Sequence, residues 1–239
     1  MNNDSTIARR KLLKFGAVVM GTGLVTKAAA FRANATMEEA IALDILDENS
    51  APEEVLEELL AGNQRFVEDK VQSPNRNYLR LKEVSQEQTP LVCIMSCADS
   101  RVPIEIIFDR GFGDLFIVRN AGNVATPEEI GSLEYGTVIL GSKVLMVLGH
   151  ESCGAVTAAL DIAPLPGQMG SIVAAIQPAI DRASQNDSKE FLTETVKRNV
   201  ILQVERLTSS PLLYDLVQQG KLKIVGAYYS LQDGTVTIL

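Results

Sequence analysis

Two short motifs contain residues that can bind a metal. The only histidine of the chain, His150, lies three residues before Cys153 in "LGHESCGAV", and Cys97 begins "CADSRVP". A cysteine by itself is usually a small buried hydrophobic residue, and a single histidine is usually a hydrogen-bonded polar residue. Two cysteines and one histidine together match the ligand set of a zinc site that keeps its fourth position open. The three residues therefore form a candidate zinc site, provided that the fold brings them together.

The elements that must position these residues are visible as apolar runs. Three short runs show no polar alternation and are separated by helical patterns: residues 91–97, 114–120 and 143–150. Such runs are typical of buried parallel strands, whose carboxyl ends meet at one edge of the sheet. Because Cys97 and His150 each end one of these runs, we expect them to meet at that edge, with Cys153 just beyond it.

The third cysteine, Cys93, has a different interpretation. It lies four residues before Cys97, and an extended strand places two such residues about 13 Å apart. That separation is too long for a disulfide without a rearrangement of the backbone. We therefore interpret Cys93 as a residue of the hydrophobic core.

The order of the predicted elements indicates the fold class. Strands that alternate with helices predict an α/β fold with a mostly parallel central β-sheet flanked by helices. An amphipathic helix that begins at Pro52 forms an N-terminal helical arm over about residues 50–72, and a polar loop with a short helix follows over residues 73–89. A turn at residues 232–234 leads into a closing strand. Further helices are predicted over residues 127–140, 153–160, 170–183 and 188–210.

Composition excludes several classes of partner. The chain has 239 residues, of which 46% are hydrophobic and 22% are charged, as is typical of a globular protein. Its formal charge of −8 leaves no basic surface that would favour nucleic acid or anionic lipid. We predict one domain over residues 36–239 that binds no nucleic acid.

The first 35 residues have the pattern of an export signal. Arg9 and Arg10 precede a short apolar run, and "ANA" at residues 33–35 supplies a small-x-small cleavage site. The apolar run, residues 15–25, is too short to cross a bilayer comfortably, so the only membrane attachment that we expect is an uncleaved signal. Residues 1–35 are predicted to be a twin-arginine signal peptide that directs export to the periplasm, or to the thylakoid lumen or cell envelope of a photosynthetic source.

Four motifs together resemble one enzyme family. "CADSRVP" and "GHESCGAV", joined by "GDLFIVRNAGN" and "GSLEYG", are similar to the motifs of the β-class carbonic anhydrases, and the resemblance extends from about Pro52 to the C-terminus. It implies reversible hydration of carbon dioxide to bicarbonate and a proton, with zinc-bound hydroxide as the nucleophile. It also implies one Zn²⁺ per chain, bound by Cys97, His150 and Cys153.

The same resemblance assigns Asp99 and Arg101 to a catalytic dyad. Arg101 has the fork of donors that suits a carboxylate, and in this role it holds Asp99 away from the metal. Asp99 would then accept a hydrogen bond from the hydroxide and orient it. If the site were of the closed type, Asp99 would instead be the fourth zinc ligand and would block water.

The resemblance also implies a substrate pocket formed by Gln88, Phe116, Tyr135 and Gly154. The glutamine and the tyrosine occur in members whose site is always open, whereas the regulated bacterial type uses a tryptophan in a second, inhibitory bicarbonate site. This chain has no tryptophan, so we expect an open site without cooperative inhibition by bicarbonate. Because neighbouring subunits supply pocket residues in this family, the resemblance implies a homodimer or homotetramer, in which the arm over residues 50–72 contacts the other subunit.

Three other interpretations fit part of the sequence. A thiol redox protein would use Cys97 or Cys153 as its reactive thiol and the other as the resolving thiol, but it has no use for "DSR". A structural zinc protein would keep the same ligands without the catalytic positions, all of which are filled here. A Cys-His hydrolase would need a partner that orients His150, and the sequence shows none.

Overall fold

Strands and helices alternate along the chain, as the sequence predicts. A computed structural model describes residues 46–161, 165–183 and 188–239. The strands are β1 (Val92–Cys97), β2 (Leu115–Asn120), β3 (Val144–His150), β4 (Lys223–Tyr229) and β5 (Val236–Ile238). The helices are α1 (Pro52–Val67), α2 (Tyr78–Glu83), α3 (Ile104–Ile107), α4 (Pro127–Glu134), α5 (Gly154–Leu160), α6 (Met169–Arg182), α7 (Ser188–Thr208) and α8 (Pro211–Gln218), and a π-helical turn (Tyr135–Ile139) follows α4.

The five strands form one sheet in the order β2-β1-β3-β4-β5. β1 pairs in parallel with both β2 and β3, β3 pairs in parallel with β4, and β5 is antiparallel to β4. This arrangement confirms the predicted α/β fold with a mostly parallel sheet. Ser96 is paired with Leu148, so Cys97 and His150, which follow them, lie at the same carboxyl edge of the sheet.

Two hydrophobic layers cover the central strands, because alternate residues of a strand point to opposite faces of the sheet. Every residue of β1 and β3 is buried. Ile94 and Met146 pack on one face against α1 and α3, whereas Met95 and Val147 pack on the other face against α7 and α8. Burial on both faces explains why these strands appear in the sequence as continuous apolar runs.

The helix predicted over residues 127–140 is interrupted. α4 ends at Glu134, and the π-helical turn continues from there. Within this turn, a Cβ atom on Gly136 would lie 2.4 Å from the Cys93 Sγ atom and 2.9 Å from Phe116 Cδ1. The turn therefore packs its bare backbone against β1 and β2, and the space next to Cys93 admits only glycine.

Helix α8 has no counterpart in the sequence prediction, although the signal is present. Ser210 accepts a hydrogen bond from the Leu213 backbone N–H, and Pro211 occupies the first helical position. A serine cap followed by proline is a usual start of a helix. The helix predicted over residues 188–210 includes this serine, so the start of α8 is hidden within it.

The N-terminal arm begins as predicted but its helix is shorter. α1 begins at Pro52 and ends at Val67. Its apolar face, formed by Val55, Leu56 and Leu59, packs on the sheet of the same chain. The expected role of the arm in dimerisation therefore stays a prediction, since its apolar face is covered within one subunit.

Asp109 connects the arm to the body of the fold. Its side chain is fully buried, and it accepts hydrogen bonds from the backbone N–H groups of Gln72 and Ser73, both at 2.8 Å. It also accepts a hydrogen bond from the Arg65 guanidinium of α1 at 3.0 Å. Burial alone would raise the pKa of the Asp109 carboxyl, but these donors outweigh burial and lower the pKa. Asp109 is therefore ionised and fixes the segment that follows α1.

Asp109→Asn is expected to lower the free energy of unfolding by about 2 kcal/mol near neutral pH, because the buried donors of Asp109 lose a charged acceptor and Arg65 keeps only Glu58, at 3.4 Å. The folded-state pKa of Asp109 lies below the unfolded value of about 3.9, so its contribution is present above that value and is lost as the pH falls through the folded-state pKa. Urea denaturation of both proteins at neutral and acidic pH measures the difference. If the difference in the free energy of unfolding between the two proteins did not become smaller at acidic pH, Asp109 would not be bound as an ionised carboxylate.

Part of the chain is outside this description. The predicted export signal at residues 1–35 and the predicted start of the domain at residues 36–45 lie there. Among the helices of the described ranges, none combines the length and apolar character that crossing a membrane requires.

Candidate metal centre

The three predicted metal ligands converge at the carboxyl edge of the sheet. Cys97 ends β1, His150 ends β3, and Cys153 is the capping residue before α5. All three are buried, and their ligand atoms lie within 4.8 Å of one another. The two Sγ atoms are 4.0 Å apart, and tetrahedral zinc with Zn–S bonds of about 2.3 Å would place them about 3.8 Å apart. The geometry therefore fits zinc.

The hydrogen bonds of His150 leave one ring nitrogen for a metal. Its Nδ1 atom lies 2.9 Å from the backbone carbonyl oxygen of Glu151. A carbonyl only accepts, so Nδ1 carries the proton and Nε2 keeps its lone pair. Nε2 is buried and has no hydrogen-bond partner among the described residues. Since buried polar atoms are normally paired, this nitrogen is suited to bind a metal ion.

Glu151 is a residue of this site that the sequence analysis missed. Its carboxylate accepts hydrogen bonds from the Leu231 backbone N–H at 2.9 Å and from the Gln232 side chain at 2.6 Å. The turn between β4 and β5 thereby fixes Glu151, whose carbonyl in turn orients the His150 ring. The only sequence signal is the position of Glu151 directly after the histidine.

The two ligand cysteines are close enough to share a hydrogen bond, with their Sγ atoms 4.0 Å apart. The Cys153 thiol beside it lowers the pKa of Cys97, while the same interaction, together with burial, raises the pKa of Cys153. The backbone N–H of Gly122 also donates to Cys97 Sγ at 3.4 Å. The pair thus holds one thiolate readily, and zinc would favour the ionised form of the second thiol as well.

Asp99 and Arg101 form a bidentate ion pair beside the ligands. The Arg101 Nε atom donates to Asp99 Oδ1 at 2.9 Å, and an Arg101 terminal nitrogen donates to Oδ2 at 2.8 Å. These side-chain hydrogen bonds hold the pKa of Asp99 well below its usual range. Asp99 Oδ2 lies 3.9 Å from His150 Nε2. An ionised carboxylate, held on both oxygens, therefore faces the atoms that would bind the metal.

Arg119 is a second residue that the sequence analysis did not assign. From the end of β2 it donates to the Cys97 carbonyl at 3.0 Å and to the Asp99 carbonyl at 2.8 Å. It thus spans the backbone segment that carries both the first ligand and the carboxylate. Its charge inside the otherwise apolar run "DLFIVRN" was a signal that could have identified it.

The predicted pocket residues occupy different places. Gln88 is exposed in the loop before β1, and Gly154 directly follows the ligand Cys153 at the start of α5. Phe116 and Tyr135 contact each other, with ring centroids 6.2 Å apart. Phe116 pairs with Cys93, four positions before the carboxyl edge, which is about 13 Å along a strand. Within one chain, Phe116 therefore lies away from the three ligands.

Comparisons with known proteins indicate one enzyme family. A family profile described as carbonic anhydrase matches residues 92–236. A curated relative named "Carbonic anhydrase 2", from Mycobacterium tuberculosis, is 37% identical over 199 residues, which are 80% of this chain and 94% of the relative. "Beta carbonic anhydrase 3" from Arabidopsis thaliana is 30% identical over 210 residues, 81% of this chain and 79% of the relative. A tetrameric β-carbonic anhydrase structure from Sordaria macrospora superposes with a TM-score of 0.62 at 22% identity, over 75% of this chain and 94% of that one.

Proposed function

The chain belongs to the β-class carbonic anhydrase family, and from that membership we propose that it interconverts carbon dioxide with bicarbonate and a proton, using one Zn²⁺ held by Cys97, His150 and Cys153. The observation that carries the proposal is the unpartnered, buried Nε2 atom of His150, which faces two cysteine sulfurs spaced as zinc requires. This donor set leaves one coordination position for the reaction.

The residues around that position have separate roles in the proposed reaction. Zinc held by Cys97, His150 and Cys153 would supply a Lewis acid that lowers the pKa of water toward about 7. The Asp99 carboxylate stays ionised and accepts a hydrogen bond from the nucleophile, which turns its lone pair toward carbon dioxide. Arg101 keeps both oxygens of Asp99 engaged and also donates to the Ser152 carbonyl at 3.2 Å, so the dyad is tied to the loop that carries Cys153.

Metal dependence tests the proposed reaction directly. Stopped-flow hydration of carbon dioxide is measured on the full chain as purified, after removal of metal with a chelator, and after zinc is returned. We expect activity to disappear with the metal and to return with about one zinc per chain. Full activity in the metal-free protein would exclude the proposed chemistry.

We propose further that the site is of the open type. Both oxygens of Asp99 are engaged by Arg101, and the sequence has no tryptophan for an inhibitory bicarbonate site of the usual kind. The rate of hydration should therefore follow a simple titration with pH and a hyperbolic dependence on substrate. A steep, sigmoidal loss of activity below neutral pH, deepened by added bicarbonate, would contradict an open site.

An assembly of identical subunits is the second part of the proposal. β2 is an edge strand of the sheet, so one side of its backbone is unpaired among the residues that the structure describes. The π-helical turn beside it exposes three apolar side chains, Tyr135, Val138 and Ile139, and the last of these is 66% exposed. An unpaired strand next to an apolar patch favours a contact between subunits. We propose a homodimer or homotetramer, in which Phe116, Tyr135 and Gln88 complete the pocket of a neighbouring subunit.

Ile139→Asp is expected to shift the assembly toward a smaller species, because it places a charge in this apolar surface. Light scattering coupled to size-exclusion chromatography measures the mass of each form. The matched control is Met169→Asp on α6, where a 46% exposed apolar residue lies in a different element; this control should keep the wild-type mass. If wild type and Ile139→Asp both run as one monomer, the assembly proposal is wrong.

Export remains part of the proposal as well. The paired residues Arg9 and Arg10 and the small-x-small site at residues 33–35 support a twin-arginine signal. Because that pathway carries folded proteins, the chain would acquire zinc before it reaches the periplasm. N-terminal sequencing of the mature protein should then begin at Thr36.

A further inference from the structure

A chain of buried hydrogen bonds connects helix α7 to the sulfur of Cys97. We propose that Asn199 is a positioning residue for the zinc thiolate of Cys97, acting through the backbone of Gly122. This inference rests on the proposed zinc site. The juxtaposition that carries it is a buried amide that donates to the carbonyl of Gly122, a residue whose own N–H donates to the sulfur of Cys97.

The link from Asn199 to the sulfur has two steps. The Asn199 side-chain amide donates to the Gly122 carbonyl at 2.9 Å. The backbone N–H of Gly122 donates to Cys97 Sγ at 3.4 Å. Asn199 lies 77 residues along the chain from Gly122 and is 1% exposed, so no solvent competes for the bond. The carbonyl and the N–H of Gly122 belong to the two peptide groups that meet at its Cα, so α7 holds the peptide group next to the one whose N–H points at the sulfur.

A second amide, Gln203, holds the Asn199 side chain in the orientation in which its nitrogen donates to the Gly122 carbonyl. Gln203 lies one turn later on α7 and is fully buried. Its Nε2 atom donates to Asn199 Oδ1 at 2.8 Å, so the Asn199 nitrogen is the atom left to face Gly122. Its Oε1 atom accepts from the Ala125 backbone N–H at 2.9 Å. Both ends of the loop after β2 are thus tied to the same face of one helix.

Gly122 has little freedom to take another position. Its φ of 78° is in the left-handed region, and a Cβ atom there would lie 2.9 Å from Ile176 Cδ1 and 3.1 Å from Ala155 Cβ. Only glycine adopts this conformation in this space without strain. Hydrogen bonds from α7 therefore hold the loop on one side, and packed side chains leave it no room on the other. In this position the Gly122 N–H points at the Cys97 sulfur.

An N–H donor on a thiolate changes what the sulfur gives to a metal. The hydrogen bond draws electron density from the sulfur, so Cys97 donates less charge and more positive charge stays on the ion. If the Gly122 N–H no longer pointed at the sulfur, Cys97 would donate more charge to the metal, and the site would be less ordered. A purely structural residue of the core would lower stability without changing this electronic property.

The test uses Co²⁺ in place of zinc in the full-length protein, because Co²⁺ bound to cysteine gives a thiolate-to-metal charge-transfer band. Asn199→Leu removes the donor at nearly constant volume. We expect the band to shift to longer wavelength, and zinc release to a chromogenic chelator to become about tenfold faster. If Asn199→Leu does not fold, Asn199→Ala is measured in the same way, with the same expectation.

Thr195→Val is the matched control. Thr195 lies one turn before Asn199 on α7, is fully buried, and donates its hydroxyl to the Phe191 carbonyl of its own helix at 2.7 Å. It should lose thermal stability while the band and the rate of zinc release stay as in wild type. An Asn199→Leu protein with the wild-type band, or a band that shifts equally in Thr195→Val, would overturn the positioning role. Absence of any thiolate band in wild type would overturn the proposed metal site, and this inference with it.

Discussion

Asp99→Asn is expected to lower kcat/KM for carbon dioxide hydration by about 100- to 1000-fold while zinc stays bound. The carboxylate is ionised and held by two hydrogen bonds from the Arg101 side chain. An amide keeps the shape of the side chain but replaces one acceptor oxygen with an NH2 group, which can only donate, so its single oxygen cannot accept from both Arg101 and the nucleophile. Stopped-flow kinetics, with zinc content measured on the same sample, gives the result.

Asp114→Asn is the control for the loss of one carboxylate. Asp114 accepts hydrogen bonds from the Asn75 side chain at 2.7 Å and from the Gly111 backbone N–H at 2.8 Å. Neither partner is a residue of the metal centre, so this variant should change kcat/KM less than about threefold, in line with a substitution away from the site. If Asp99→Asn retained wild-type kcat/KM at full zinc content, Asp99 would have no part in the reaction.

Cys97→Ser should lose both zinc and activity. The sulfur is one of three ligand atoms within 4.8 Å of one another, and a neutral hydroxyl replaces a thiolate that binds zinc strongly. Loss of an outer partner of a metal ligand already weakens binding by 10–100-fold, so loss of the ligand itself should weaken it by more than about 100-fold. Competition with a chromogenic chelator measures the zinc affinity, and activity is measured with the metal in excess.

Cys93→Ala provides an internal comparison on the same strand. Cys93 is fully buried, and burial raises the pKa of its thiol to about 12, so it stays protonated. The variant should keep full zinc content and activity, and it should lose about 1 kcal/mol of stability from the small cavity. Loss of zinc in Cys93→Ala, or its retention in Cys97→Ser, would mean that the ligands are wrongly assigned.

The sequence was sufficient to predict the centre of the fold and the convergence of Cys97, His150 and Cys153. The continuous apolar runs identified β1 and β3 because both strands are buried on both faces. Parallel pairing then required their ends, Cys97 and His150, to meet at one edge. Cys93 was correctly distinguished from the ligands, because two residues that are four positions apart on one extended strand cannot come together.

The residues that support the ligands could not be predicted in this way. Arg119, Glu151 and Asn199 act through hydrogen bonds to partners that lie 20 to 80 residues away in the chain. Neither periodicity nor local spacing in the sequence indicates such long-range hydrogen bonds, because they depend on how the loops pack against the edge of the sheet. The position of Phe116 could not be predicted from a single sequence either. It depends on the register of β2 against β1, which places Phe116 four positions before the carboxyl edge of the sheet.

The most direct test of carbonic anhydrase activity is the exchange of ¹⁸O between labelled carbon dioxide and water, followed at chemical equilibrium by mass spectrometry. It detects the interconversion of carbon dioxide and bicarbonate itself, on the full-length protein with its zinc. If the protein is a carbonic anhydrase, label is lost far faster than in the uncatalysed reaction, in proportion to the fraction of chains that carry zinc. A fully zinc-loaded, folded protein that exchanges label no faster than buffer would contradict it.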